Sequence, residues 1–285
     1  MARLRHHLAS LACVAGIATT ARAQDELWHA IGSLGFGSES TLAGDFNGDG
    51  CRDVLVGQPD WYYSWLPGQV FGLDGRTGAE LFRIQDPSTA FGEHVATLGD
   101  DVNGDGVDDF LASSVSSSST LLFSGADQTV LRNVYGIGQL QSLPDLDGDG
   151  IRDFVSASAY PGGVTVYSSA SGAVLRSFLR STIPSIAVLD DVDLDADGAT
   201  DFAVGAFPFA TAQPDPYVAI YSGRTYSLLR TLTTDAHGHT VGLFSGAGDV
   251  DGDGVFDFFI GSNGEDAQHD GFPAFAKPQL LECRA

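Results

Sequence analysis

The chain is poor in base. Of 285 residues only 14 are Lys or Arg, against 37 Asp or Glu, and the formal charge is −23. Lys277 is the one lysine. So few cations cannot assemble a basic patch, which weighs against nucleic acid or an anionic membrane surface as partner. Cysteine is scarce too: Cys13, Cys51 and Cys283 stand at spacings that match no zinc or redox motif. No apolar run reaches the roughly 18–20 residues of a transmembrane helix. No long helical period, no Gly-x-Ser-x-Gly nucleophile setting and no Gly-rich phosphate loop is present. What remains is 43% hydrophobic with 36 Gly, the composition of a folded, turn-rich chain rather than a disordered one. The length suits one large domain or two small ones.

Residues 1–23 have a character of their own. Arg3 and Arg5 give a positive start, Leu8 to Ala18 is apolar and small, and Ala21-Arg22-Ala23 fits a small-x-small cleavage site before Gln24. This predicts an export signal over 1–23 and a folded domain over 24–285, extracellular, periplasmic or at the cell surface. Without the leader, 11 basic residues face 37 acidic ones, a charge of −26. Cys51 and Cys283 then either pair in an oxidising compartment or stay as two thiols; the sequence leaves both open.

The mature chain is repetitive. Five acidic nonapeptides align without gaps, beginning at Asp45, Asp101, Asp145, Asp193 and Asp249, so the repeat is 56, 44, 48 and 56 residues long. Each is followed by a short apolar run, such as Val54 to Val56 or Phe202 to Val204. A second run follows in four repeats, then a turn such as Asp74-Gly-Arg-Thr-Gly78, then a last run around Leu81, Leu131, Leu175 and Leu229. Runs of this length between Gly, Ser, Asp and Pro read as strands. Four antiparallel strands per repeat, A to D with the acidic loop between A and B, predict an all-β β-propeller of about five four-stranded blades. Alternating strand direction puts loops A–B and C–D on one side and B–C and D–A on the other.

Positions 1, 3, 5 and 9 of each loop carry Asp or Asn. The sets are Asp45, Asn47, Asp49 and Asp53; Asp101, Asn103, Asp105 and Asp109; Asp145, Asp147, Asp149 and Asp153; Asp193, Asp195, Asp197 and Asp201; and Asp249, Asp251, Asp253 and Asp257. Position 6 is always Gly, and position 7 varies as Cys51, Val107, Ile151, Ala199 and Val255, as expected where only a backbone carbonyl is used. Such a set offers a hard divalent cation its 6–8 oxygens, and Ca²⁺ suits it better than Mg²⁺, which demands tighter geometry and keeps its waters. Up to five Ca²⁺ are expected. Eighteen carboxylates at these positions would repel one another strongly without a cation. A metal-free Asp-Gly turn is the plainer alternative for any single copy. An EF-hand is not indicated, because position 12 is Val56, Ala112, Ser156, Val204 or Ile260 rather than Glu.

The pattern resembles the FG-GAP repeats of integrin α-subunit propellers and of many bacterial secreted proteins. Phe36-Gly37 and Phe91-Gly92 supply the Phe-Gly ahead of the loop, and Val56-Gly57-Gln58-Pro59 and Val204-Gly205-Ala206 stand near the Gly-Ala-Pro position. The resemblance implies a β-propeller with Ca²⁺ in the A–B loops of one face and ligand contacts on the opposite face. Two departures stand out: the third and fourth repeats lack a clear Phe-Gly, and integrin propellers have seven blades.

The fifth repeat offers Phe272 to Ala276 as strand C and no evident strand D. The segment Asp25-Glu-Leu27-Trp-His-Ala30 aligns with strand D of the first repeat, Ala79-Glu-Leu81-Phe-Arg-Ile84, and is expected to complete the last blade and close the ring. The rival is an open fragment of a larger propeller. On the face opposite the acidic loops, the B–C segment of the first repeat holds Trp61, Tyr62, Tyr63 and Trp65, and corresponding segments hold Tyr160, Phe207 and Phe209. Aromatics there suit stacking on sugars or a protein hot spot, or else pack between blades. The function expected is a secreted, calcium-binding, non-enzymatic adhesion or recognition scaffold for an extracellular protein or glycan. The alternative is a polysaccharide-active lyase or glycoside hydrolase, for which no catalytic pair can be nominated.

Overall fold

The computed structural model describes residues 28–32, 35–60, 67–86, 90–114, 118–136, 138–158, 163–179, 183–188, 193–207, 217–233, 240–248, 257–265, 274–275 and 279–282. The apolar runs form strands because branched and aromatic side chains pack well on a pleated surface, and the Gly-, Asp- and Ser-rich stretches between them turn the chain. The first sheet is Ser40–Leu42 (β1), Val54–Gln58 (β2), Gly68–Leu73 (β3) and Glu80–Asp86 (β4). The second is Phe91–Thr97 (β5), Phe110–Ser114 (β6), Ser119–Phe123 (β7) and Val130–Tyr135 (β8). The third is Gln139–Leu143 (β9), Asp153–Ser158 (β10), Gly163–Tyr167 (β11) and Val174–Leu179 (β12). The fourth is Ile183–Val188 (β13), Phe202–Phe207 (β14), Tyr217–Tyr221 (β15) and Leu228–Thr233 (β16). All four are antiparallel meanders in chain order. The fifth contains Thr240–Gly248 (β17), Asp257–Glu265 (β18), Ala274–Phe275 (β19) and Gln279–Glu282 (β20). Its third strand, expected at Phe272 to Ala276, is divided: β19 pairs with one end of β18 and β20 with the other.

Each sheet lies on the one before it. The first strand of a repeat packs across its predecessor: β5 on β1, β2 and β3, β9 on β5 and β6, β13 on β9, β10 and β11, and β17 on β13 and β14. Sheets stacked in sequence through their inner strands are the blades of a β-propeller. The core is therefore a series of inter-blade layers. Leu55 and Val70 of the first sheet meet Phe91, Val95, Phe110 and Phe123 of the second. Leu98, Leu111 and Val134 of the second meet Leu140, Phe154 and Tyr167 of the third. Val155, Val164 and Val166 of the third meet Phe202, Val204 and Tyr221 of the fourth. Covered on both faces, β3 is buried at five of its six residues, whereas the outer β4 alternates between half-buried and exposed.

Three blades share an aromatic rung. The residue after the ninth loop position stands opposite the last aromatic of the third strand: Phe110 opposite Phe123, Phe154 opposite Tyr167 and Phe202 opposite Tyr221. The rings are stacked, with centroids 5.3, 5.2 and 5.7 Å apart. Cross-strand aromatic pairs of this kind add to the stability that burial alone provides. The Phe-Gly dipeptide serves the joint between blades. Phe91 is wholly buried, and a Cβ on Gly92 would lie 2.4 Å from the Gln69 carbonyl oxygen of the first blade, so no side chain fits there.

Candidate metal centre

The acidic loops link the first two strands of each blade, and four of them are described. Their fold is dictated by side chains capping backbone. In the first loop Asp45 Oδ1 accepts the N–H of Gly48 at 2.7 Å and of Asp49 at 3.0 Å, while Oδ2 accepts Gly50 N–H at 2.7 Å. Asp101 and Asp145 repeat this set with distances between 2.6 and 3.2 Å. The third position accepts from the fifth (Asp49 N–H to Asn47, 2.9 Å), and the fifth from the seventh (Cys51 N–H to Asp49, 2.9 Å). Nested caps wind the chain into a tight concave turn. The sixth residue must take a left-handed conformation, with φ of 85°, 95°, 90° and 87° at Gly50, Gly106, Gly150 and Gly198, which explains the invariant Gly. The fourth loop departs at Ala196, which is held at φ 58° where the other three have Gly.

The result is convergence of oxygens. Carboxylates of Asp101, Asp105 and Asp109 bring ligand atoms within 4.8 Å of one another, as do those of Asp145, Asp147 and Asp153, and of Asp193, Asp195 and Asp197. In the first loop the third position is Asn47, whose amide donates to Asp74 Oδ2 at 3.1 Å. An all-oxygen set of carboxylates and amides fits a hard divalent cation and offers no soft ligand to zinc or copper. The fifth loop, Asp249, Asp251, Asp253 and Val255, lies outside the described residues. Asp257 is described only as the first residue of β18.

The ninth position does something the sequence did not reveal. Asp53, Asp109, Asp153 and Asp201 are wholly buried. Each bridges two loops: Oδ2 accepts the N–H of the second loop residue (Phe46, Val102, Leu146, Leu194) at 2.7–2.8 Å. Oδ1 accepts from the turn between the third and fourth strands, from Gly75, Gly125 and Gly223 at 3.0 Å and from Ser169 at 3.3 Å. These bonds put loops A–B and C–D at the same end of each of the first four blades. Burial pushes the Asp109 carboxyl up to about 6 and that of Asp153 up to about 7, and raises Asp53 and Asp201 as well.

The C–D turn also reaches the fifth position, in two ways. Ser124 and Ser222 donate hydroxyl hydrogens to Asp105 and Asp197 at 2.8 and 3.1 Å. The Ser124 hydroxyl holds Asp105 below the usual carboxylate range. In the first and fourth loops an arginine arrives: Arg76 Nε lies 3.0 Å from Asp49, and Arg224 Nε 3.6 Å from Asp197. These loops carry a cation of their own, and each arginine is 27 residues from its aspartate, a pairing that the loop motif does not announce.

At the opposite end, Trp61, Tyr62, Tyr63, Trp65, Tyr160 and Phe209 lie outside the described residues. Phe207 is described through its backbone, opposite Ile183. That end shows a group not singled out from the sequence. His94 Nδ1 of β5 is 2.9 Å from Glu39 Oε2, just ahead of β1, and Glu39 also accepts Val95 N–H at 3.3 Å. Burial, helped by the Glu39 charge and opposed by His94, raises the neighbouring Glu93 carboxyl. Cys51 is half-buried in the first loop, and Cys283 lies outside the described residues.

Fold and repeated loops together define a β-propeller. Within it, residues 36–78 match the family model of the FG-GAP repeat, a span from Phe36-Gly37 through the first acidic loop to the end of the C–D turn. The match covers β1 to β3 of the first blade, and the described loops of the next three blades repeat the capping of backbone N–H groups by the first aspartate. Among solved structures, a chain of Kuenenia stuttgartiensis hydrazine synthase is similar with a TM-score of 0.57 and 10% identity, covering 91% of this chain and 69% of that one. BBS1N, solved in complex with ARL6DN, is similar with a TM-score of 0.50 and 11% identity, covering 81% and 77%. At such identities the likeness is one of fold. Comparison with curated proteins finds no match.

Proposed function

We propose that this protein is an exported calcium-binding β-propeller that acts as a non-enzymatic adhesion or recognition scaffold. The observation that carries the proposal is the convergence of three carboxylates within 4.8 Å in each of three loops. Like charges so close resist compaction unless a cation joins them. In the second and third loops no arginine comes from the C–D turn, where Gly125-Ala126 and Ser169-Ala170 stand in place of Gly75-Arg76. Bound Ca²⁺ there would lock the A–B loop against the C–D turn through the buried ninth-position Asp and hold each blade rigid. A rigid ring presents its other face, with the B–C segments, to an extracellular protein or glycan. The leader-like residues 1–23 support export, and the acidic surface favours a partner other than nucleic acid.

The test is thermal unfolding of residues 24–285 in millimolar Ca²⁺, in Mg²⁺ and in excess chelator. A site filled only in the folded state at about 100 times its dissociation constant adds roughly 2.7 kcal/mol, so several occupied loops raise the melting temperature by many degrees. A Ca²⁺-specific rise is expected. Equal melting points in all three would reduce the loops to turn architecture.

A further inference from the structure

The first blade carries a cavity to which no acidic loop contributes. Val54, Val56, Phe71 and Leu73 form the face of this blade that looks away from the second, and Trp28, Ala30 and Phe36 pack there. Strand side chains alternate, so Gln58, two residues beyond Val56, and Gln69, two before Phe71, belong to the same face. The two glutamines also stand opposite each other in the register of β2 and β3. A cavity of about 370 Å³ opens here, lined by both of them together with Phe36, Phe71, Glu80 and Arg83. We propose that this cavity binds a neutral sugar ring, with the Gln58 and Gln69 amides as its hydrogen-bonding groups.

The glutamine amides point to a ligand. Gln58 is only 8% exposed, and among the described residues neither its side chain nor that of Gln69 has a hydrogen-bond partner. A buried amide left unpaired is costly, and leucine would fill the same space without that cost. Nothing in the packing of Val56 and Phe71 calls for an amide beside them. Each primary amide offers one carbonyl oxygen and one NH₂ group. Register partners hold their side chains close together, so the pair presents two acceptors and two sets of donors side by side. Hydroxyl groups on adjacent carbons of a sugar ring each donate and accept, and they match such a pair.

The other lining groups suit the rest of the ring. Phe36 and Phe71 meet edge to face, with centroids 5.2 Å apart and planes at 77°, and offer apolar surface to the C–H face of a sugar. The Arg83 guanidinium lies 4.7 Å from the centre of the Phe71 ring and is paired with Glu80, through Nη2 at 2.6 Å and Nε at 3.2 Å. The two charges cancel, so the cavity calls for no charged group on its ligand. A further wall is Ala30, Ile31 and Gly32, in a segment that carries no strand. Contacts on either side of that segment tie it down: Trp28 Nε1 donates to the Gly75 carbonyl at 2.9 Å, and Gly37 N–H to the Gly57 carbonyl at 3.0 Å. Gln58 ends β2 and Gln69 is the second residue of β3, so both amides lie at the B–C end of the blade, away from the acidic loops. The volume is at the small end of the range of ligand pockets, which suits a single ring. The site deepens the recognition reading and rests on it for the choice of a glycan.

The test titrates the protein with the methyl α- and β-pyranosides of glucose, galactose and mannose, in millimolar Ca²⁺, and reads binding by saturation-transfer NMR. At least one of these sugars should bind. Gln58→Leu combined with Gln69→Leu should weaken it by roughly tenfold or more, the loss expected when two or more hydrogen bonds go. The melting temperature of that variant should hold or rise, because unpaired amides give way to apolar groups of similar size. No transfer to any of the six sugars would overturn the proposal, and so would equal affinity in the double variant. A double variant that melts well below the parent would overturn it too, by showing that the amides serve the fold. Parent and variant are compared at one Ca²⁺ concentration, so loop occupancy is common to both. A missing Ca²⁺ response would sink the calcium reading and leave this comparison intact.

Discussion

At the scale of single residues, the same loop is built with two counter-charge schemes. Asp49 and Asp197 meet an arginine from their own blade, whereas Asp105 meets a hydroxyl. A guanidinium at the fifth position competes with a divalent cation for the same oxygen and repels it besides. Arg76→Ala and Arg224→Ala should therefore each tighten binding at one loop by a few-fold, with little change in the fold, because both side chains are largely exposed. Titration calorimetry with Ca²⁺ would show it as a weak class of sites moving toward a stronger one. Unchanged isotherms would mean that the arginines stand clear of the cation. The buried ninth-position carboxyls make a pH prediction. Folding raises Asp109 to about 6 and Asp153 to about 7, through burial. A carboxyl whose folded value is raised holds its proton more tightly when folded. Its contribution is complete below the unfolded value near 4 and is lost as pH climbs through 6 and 7. Cation-free protein should accordingly melt higher at pH 5 than at pH 8, and saturating Ca²⁺ should flatten or reverse the difference.

At the scale of elements, the turns separate what local sequence dictates from what the fold imposes. The C–D turn closes with a hydrogen bond from its fifth residue to its first in four blades: Gly78 to Asp74, Gln128 to Ser124, Gly172 to Ser168 and Tyr226 to Ser222. That fifth residue is left-handed each time, and only two blades use Gly. A left-handed conformation costs an ordinary residue about 1–2 kcal/mol, while Gly gives back roughly 0.5–1 kcal/mol in chain entropy. Gln128→Gly should thus stabilise by a few tenths of a kcal/mol up to about 1, less what the amide bond from Gln128 Nε2 to Gly125 O contributes. Equilibrium urea unfolding would register the gain as a later midpoint at constant slope. Strand identity was legible in the sequence because runs such as Val70 to Leu73 are short, branched and bounded by turn residues. The acidic loop was legible because the caps made by its first, third and fifth positions are local, spanning at most five residues. The stacked pairs Phe110–Phe123 and Phe154–Tyr167 were not, since each depends on a register 13 residues distant that no single strand encodes. For the same reason the ninth-position Asp read as a simple loop carboxylate: its second partner, as with Asp53 and Gly75, is 22 residues away on another turn.

At the scale of the whole molecule, the repeat makes charge the governing problem. The four described acidic loops lie at one end of their blades and bring fourteen carboxylates to one side of a chain whose formal charge is −23. Two remedies act over different distances. Salt at 1 M shortens the Debye length to about 3 Å, which silences repulsion between loops but only part of the repulsion within one. In three of the described loops carboxylate oxygens lie within 4.8 Å of one another, a separation over which such screening is incomplete. A coordinated cation acts at that short range. In chelator, 1 M NaCl should therefore recover only part of the melting temperature that millimolar Ca²⁺ restores, and Ca²⁺ should still add to it in 1 M NaCl. If salt alone recovered everything, the loops would be sensing general charge density, and the geometry of positions 1, 3, 5 and 9 would have no part in the stability of the propeller.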